Sequence, residues 1–327
     1  MSSIIENIER VEKARQPADL FPPGADHEAL HKKLLVAVHP DRATPKIRPR
    51  AEAAFKRVGE LFAMLSAKTP ATTIGKWAVE QTLCAGDVAD LYLVRDSGVQ
   101  GVLKIARDKA DNDLLAAEHA ALTRLQKTGS EFCKYVPRVY DTLEASSRRV
   151  NVLSYAEGYL SLKMITEAVG APLDFRHCVW MLNRLLSLIG FVQREGFVHG
   201  GITPDHLLYH PKSHGLTLVG WGSVTVTSQA KPIPILSSDW SFIYPPEVPR
   251  KRPVHPATDI YMAAASIFYA AGVHGTPARF KPLFEHCMAA SPASRPVDAW
   301  AILDRFKSLA QEEYGDPRYI ELVLPVQ

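Results

Sequence analysis

Hydrophobic positions follow two regimes along the chain. Up to about residue 70 they recur only at helical spacing, whereas beyond it alternating runs come first and helical spacing returns later. Ile4, Ile5, Ile8 and Val11 predict a short amphipathic helix, closed by Pro17 and by the Phe-Pro-Pro-Gly run at 21–24. Asp26 is placed to cap a second helix that reaches Val38, with Leu30, Leu34, Leu35 and Val38 inward and Lys32 and Lys33 outward. His39-Pro40-Asp41 ends it, because a residue before proline is pushed out of the helical region. A third helix is predicted over 47–67, striped by Ala51, Phe55, Val58, Leu61, Phe62 and Leu65. Two such helices joined by a short loop make a helical hairpin. Lys68 to Lys76 is polar and turn-prone, so the linker is placed at 71–76, with a helical module over 1–70 before it.

From Trp77 the pattern changes. Ala78–Leu83, Asp90–Arg95 and Gly101–Ile105 are rich in β-branched and aromatic residues and are separated by Ala85-Gly86-Asp87 and Ser97-Gly98, which predicts a meander. A helix over 113–126, a strand over 150–155 and a long helix over 173–195 follow; Val179, Leu182, Leu186, Ile189 and Val192 form the inner stripe of the last. A short β-rich run spans 215–219, and beyond residue 256 the spacing is almost wholly helical. Strands first and helices later is α+β segregation. This unit extends over 77–312, and the tail 313–327 carries Ile320, Leu322, Val323 and Leu324, alternating enough to dock as a strand or bind a partner.

Composition narrows the function classes. With 46% hydrophobic and 22% charged residues, the 327-residue chain falls in the soluble globular class. A formal charge of +3 gives no reason to expect nucleic acid. The longest mainly apolar run, Tyr261–Val273, is short of the roughly 20 residues that span a bilayer, and acids interrupt the N-terminus, so neither a membrane span nor a signal peptide is expected. Cys84, Cys133, Cys178 and Cys287 are scattered, with no Cys-x-x-Cys pair, which fits buried thiols in a reducing cytoplasm and predicts no metal site.

The run from His31 to Asp41, with His-Pro-Asp after a basic helix, and the Phe55–Leu65 stripe together resemble the J-domain of DnaJ-type co-chaperones. The resemblance implies that His39, Pro40, Asp41, Lys32 and Lys33 contact a DnaK-type chaperone ATPase and stimulate its hydrolysis. A basic helix would steer toward an acidic partner surface. His31 stands where that family usually has tyrosine, and no Gly/Phe-rich linker or zinc-binding region follows.

Residues 77–312 resemble the protein-kinase fold, with a small β-rich lobe and a large helical lobe. His199-Gly-Gly-Ile-Thr-Pro-Asp-His-Leu-Leu208 has the rhythm of a kinase catalytic loop, Val102-Leu-Lys104 matches the lysine strand, and Glu118 matches the lysine's partner. Glu247, Asp259 and Arg295 match scaffold positions: by resemblance Glu247 pairs with Arg295 and Asp259 holds the loop backbone. The catalytic positions depart from the family. Gly201 replaces the catalytic aspartate, His206 the metal-binding asparagine, and Gly220-Trp221-Gly222 the metal-binding Asp-Phe-Gly. The glycine loop keeps only Gly86, beside Asp87. Phosphoryl transfer needs a base and metal ions, so the resemblance is to a pseudokinase.

Two readings stay open at the remaining polar positions. Lys104 and Glu118 are either a surface lysine and a solvated helix face or, with Gly86, part of a cleft that holds ATP without the usual metals. Asp205 and His206 are preferred as a loop carboxylate and a backbone-capping histidine over an acid–base or metal pair. His199 is expected to be a structural hydrogen-bonder and Trp221 a core anchor. The basic run Arg250-Lys251-Arg252, with Lys231 and His255, is expected to be a solvated loop. The leading expectation is an adaptor co-chaperone that needs no cofactor, recruits a DnaK-type ATPase and binds a client through the kinase-like domain. The alternatives are an atypical kinase or transferase using Lys104, Asp205 and His206, and a signalling scaffold without chaperone recruitment.

Overall fold

A computed structural model describes residues 3–14, 17–21, 27–66, 73–86, 88–170, 172–234 and 236–324, without side chains at 17, 18, 64–66 and 85. Asp26, Pro22 to Gly24, residues 67–72, Asp87 and the Leu65 side chain, all invoked above, lie outside this description. The backbone divides into two compact units, Met1–Gly86 with Asp90–Val99, and Asp87–Ala89 with Gln100–Gln327.

The smaller unit begins with helix α1 (Ile4–Lys13), which Ser3 starts by a reciprocal capping box. The Glu6 amide donates to Ser3 Oγ at 3.2 Å and the Ser3 amide to the Glu6 carboxylate at 2.8 Å. Helices α2 (Pro17–Leu20), α3 (His27–Ala37) and α4 (Arg48–Ser66) follow. Ile8, Val11, Leu20, Leu34, Val58 and Leu61 are buried together in one core, with Ile4, Leu30, Leu35, Phe55 and Phe62 packed partly against it, whereas Ile5 of the predicted first stripe is exposed. Arg50 clamps Glu12 through two hydrogen bonds of 2.9 and 2.7 Å, and this pairing draws the Glu12 pKa down. Between α3 and α4 the backbone of His39 is extended, as its proline neighbour demands, and Pro40–Arg42 forms a single 3-10 turn. Strands β1 (Thr73–Ile74), β2 (Trp77–Ala85) and β3 (Ala89–Asp96) form the start of the meander, antiparallel throughout.

In the larger unit β4 (Val99–Ala106) pairs with β6 (Arg148–Ser154), which pairs in turn with β5 (Val139–Ala145). Helix α5 (Asn112–Lys127) follows β4. Beyond β6 come β7 (Leu160–Ser161), α6 (Leu162–Val169), α7 (Phe175–Arg194), β8 (Phe197–Val198), β9 (Leu207–Tyr209), β10 (Leu216–Leu218) and β11 (Thr225–Val226), then α8 (Pro256–Gly275), α9 (Lys281–Cys287) and α10 (Ala299–Tyr314). Helix α7 starts two residues later than its stripe suggests because Asp174 caps it, its carboxylate accepting from the Arg176 amide at 2.9 Å. Leu182, Leu186, Ile189 and Val192 lie in the core between α7 and its neighbours α8 and α10, while Val179 is only partly buried. Cys178 and Cys287 are buried, burial pushing both thiols up to about 12; Cys84 and Cys133 are only half-buried. Among the described residues no helix is long and apolar enough to cross a membrane.

The tail docks without forming the strand that its alternation suggests, because side chains rather than a ladder pin it. His214 stacks on Trp180 at 4.1 Å and on Tyr319 at 4.8 Å, and its Nε2 lies 2.8 Å from the Ile320 carbonyl. The Tyr319 hydroxyl donates to the Lys212 carbonyl at 2.9 Å, and Leu322 is buried in the core.

Candidate functional site

The loop from His199 to His206 joins β8 to β9 and is held from behind by α8. Asp259, fully buried near the start of α8, accepts from the amides of His199 (2.7 Å) and Gly200 (2.9 Å). Burial pushes its carboxyl up to about 6, against the pull of those two amides. Further along α8, Ser266 donates to the Ile202 carbonyl at 3.1 Å. Arg295 grips Glu247 at 2.6 and 2.9 Å, and also donates to the carbonyls of Ala289 (2.6 Å) and Ala290 (2.9 Å). Burial opposes the Glu247 charge, but the arginine outweighs it and the pKa is lowered. The three scaffold positions read from the sequence therefore meet the partners expected of them.

The loop's own side chains are arranged for structure. The His199 Nδ1 accepts from the Gly201 amide at 3.1 Å, and its ring meets the face of Trp221 edge-on at 4.5 Å. Deep burial keeps His199 neutral by driving its pKa well down. Trp221 is fully buried and donates to the Leu218 carbonyl at 2.8 Å, as a core anchor should. The His206 Nδ1 lies 2.7 Å from the Gly201 carbonyl; since a carbonyl only accepts, Nδ1 carries the proton. Part of His206 remains exposed, but its ring is packed within protein, and that burial lowers its pKa, with the Lys104 charge acting in the same direction.

Asp205 is engaged elsewhere. Its carboxylate accepts from the Trp240 indole at 2.6 Å and lies 3.9 Å from the Lys163 ammonium. The two side chains, weighed as a pair from the sequence, face different partners here: Asp205 is turned to Trp240 and His206 to a backbone carbonyl.

Lys104, on β4, donates to Glu118 on α5 at 2.6 Å; the lysine side chain is 12% exposed and the glutamate 1%. The surface-lysine reading is therefore set aside. Asn151, directly opposite Lys104 on β6, donates to the second Glu118 oxygen at 3.1 Å and to the Leu115 carbonyl at 2.8 Å. Both glutamate oxygens are thus satisfied, which a buried carboxylate requires. Sequence reasoning missed Asn151 and Trp240. A signal existed for the first, since Asn151 is the one polar residue in the run Val150–Leu153.

The other candidate positions lie in the smaller unit. Gly86 follows β2, and Lys32 and Lys33 are exposed on α3. His39 and Asp41 are 43% and 85% exposed, the His39 Nδ1 accepting from the Asp41 amide at 3.2 Å while its ring packs edge-on against Phe55 at 5.3 Å. In the larger unit, the basic residues Arg250, Lys251, Arg252 and Lys231 are exposed.

The Lys104 ammonium is paired with Glu118, Gly201 and Gly220 supply no side-chain oxygen ligand, and the His206 Nδ1 is committed to a carbonyl. Hard divalent cations take oxygen ligands in number. Among the described residues no group of three or more His, Cys, Asp or Glu side chains is placed to hold a metal. The side chains at 201, 206 and 220 supply none of the oxygen ligands that such divalent ions take.

No protein-family model matches the chain. Serine/threonine-protein kinase D of Synechocystis sp. (strain ATCC 27184 / PCC 6803 / Kazusa) is 23% identical over 215 residues, which is 60% of this chain and 40% of that protein. The chain therefore spans well under half the length of this curated relative. Among solved structures, a double mutant of the Mycobacterium tuberculosis PknI kinase domain covers 73% of this chain and 98% of its own, with a TM-score of 0.58 and 17% identity. A second structure of the PknI kinase domain matches with a TM-score of 0.53, the same coverage and 17% identity. Over that share of the chain the fold is that of a protein kinase, with a β-sheet lobe and a helical lobe.

Proposed function

We propose that the chain is an adaptor co-chaperone: its N-terminal hairpin recruits a DnaK-type chaperone ATPase, and its kinase-like part binds a client or partner protein without transferring phosphate. The observation that carries the first half is the placement of His39-Pro40-Asp41. The tripeptide forms a turn between two helices that share a core, with the His39 and Asp41 side chains reaching solvent, and it follows the helix that carries the exposed Lys32 and Lys33. Residues held in one conformation, with His39 packed on Phe55 and Asp41 offered to solvent, suit recognition by a partner. The second half rests on the missing base and metal ligands at Gly201, His206 and Gly220, set in a scaffold whose Asp259 and Glu247–Arg295 contacts are intact. A cytoplasmic setting suits both the partner and four cysteines that form no disulfide.

The test is the rate of ATP hydrolysis by a DnaK-type chaperone with the whole protein added. The wild type is expected to stimulate and His39→Gln to lose that stimulation. No stimulation by the wild type, or undiminished stimulation by the variant, overturns the recruiting role and leaves a scaffold.

The Lys104–Glu118 pair favours one further reading, an ATP-binding or atypical transferase domain. Thermal unfolding with ATP, with and without magnesium, separates the two. Magnesium-dependent stabilisation by ATP supports the transferase, and its absence supports the adaptor.

A further inference from the structure

The kinase-like part has lost its metal ligands at two positions, and the geometry points to a single interlocked change. We infer that His206 is a plug: its imidazole occupies the volume that a side chain at residue 220 needs, so the loop excludes divalent cations sterically as well as by lacking ligands. This inference rests on the non-catalytic reading of the kinase-like part given above.

Gly220 has φ +78°, a left-handed conformation, and a Cβ built there would fall 2.5 Å from both Cε1 and Nδ1 of His206 and 2.6 Å from its Cδ2. Real Cβ atoms do not approach ring atoms that closely, so the imidazole face lies where the side chain would begin. The ring is tethered in that place. Its Nδ1–H is held by the Gly201 carbonyl at 2.7 Å, and the Val219 amide donates to the His206 carbonyl at 3.0 Å, tying the two segments together. Gly201 differs sharply. A Cβ there would meet its nearest neighbour, the Gly220 carbonyl, at 3.5 Å, an ordinary contact. The position of the missing base is open to a side chain, whereas the position of the missing metal carboxylate is closed to one while residue 206 is histidine. Left-handed φ alone does not account for the closure, because Asp and Asn enter that region more readily than most residues.

The test is a double-mutant cycle read by thermal unfolding, with Gly201→Ala as a control on the same loop. Gly220→Ala is expected to lower the Tm by about 5 °C or more, Gly201→Ala by less than about 2 °C. In a His206→Ala background the cost of Gly220→Ala is expected to fall by at least half, since the backbone cost at residue 220 is common to both arms and cancels. Additive losses, or a Gly201→Ala loss as large as that of Gly220→Ala, overturn the plug. The second measurement is stabilisation by ATP with manganese against ATP with EDTA. His206→Asn/Gly220→Asp is expected to gain a manganese-dependent rise in Tm that the wild type and Gly220→Asp lack. A manganese-dependent rise in the wild type, or none in the double variant, overturns the exclusion of cations. Phosphate transfer by the wild type would count against the non-catalytic reading while leaving the cycle's coupling measurable, so the two ideas can fail separately.

Discussion

Replacing Arg295 with leucine isolates what holds the lower part of the kinase fold together. The guanidinium is fully buried, spans both Glu247 oxygens, donates to two backbone carbonyls and lies 4.7 Å from the centre of the Tyr261 ring. Leucine fills part of the volume but leaves Glu247 buried with only the Thr258 hydroxyl, at 3.2 Å, as a side-chain donor. Breaking a buried pair by removing one partner costs about 3–5 kcal/mol. At about 2–4 °C per kcal/mol for a unit of this size, the Tm should fall by about 6–20 °C. The loss should also depend on pH. In the wild type the Glu247 pKa is lowered, so its contribution is present above the unfolded value and disappears as pH falls. In the variant the buried carboxyl has lost its cation, so its folded pKa rises and its cost grows as pH rises. The gap between the two proteins should therefore narrow from pH 8 to pH 5. Circular dichroism melts across that range measure it. A fall below about 2 °C, or a gap that is the same at both ends, refutes the reasoning.

Two further substitutions test the loop and the helical module. Asp259→Asn leaves one acceptor for two amide donors and buries an extra N–H, at a cost of about 1–3 kcal/mol, so the amides of His199 and Gly200 should lose hydrogen-exchange protection ahead of those of α8. In the smaller unit His31 stacks on Phe62 at 3.8 Å, its buried Nε2 has no hydrogen-bond partner among the described residues, and burial lowers its pKa. A lowered histidine contributes stability above its unfolded value that is lost as pH falls, so His31→Phe should flatten the acid side of that unit's stability curve between pH 7 and pH 5. An acid limb unchanged by the substitution would count against it.

Much of the fold was legible because its spacing is regular. The stripes of the third helix and of the long helix reappear as the buried faces of α4 and α7, and the strand-then-helix order survives as the two lobes of the kinase fold. Scaffold contacts such as Glu247–Arg295 were legible only through the family resemblance, since nothing in composition or periodicity joins residues that far apart. What the sequence left ambiguous was decided by direction and by space. Alternation in the tail says which residues can face inward but not that Trp180 and His214 will pin the chain without a ladder. Nor does the order of residues reveal that Asp205 turns to Trp240, or that the ring of His206 fills the space over Gly220. Asn151 could have been suspected from its apolar neighbours, yet its purpose appears only when β6 lies beside α5.

The grip of Asp259 on the loop also bears on the order in which the protein folds. His199 and Gly200 take their shape from a carboxylate about sixty positions further along the chain, and the Glu247–Arg295 clasp closes over nearly as long a span. Contacts of such separation carry a loop-closure entropy that must be met before they stabilise anything, and chains that depend on them fold slowly. A nascent chain that has emerged only as far as β11 holds every residue of the loop and none of the α8 groups that shape it. A fragment ending before α8 would therefore lack the carboxylate that shapes His199 and Gly200 and the hydroxyl that holds the Ile202 carbonyl.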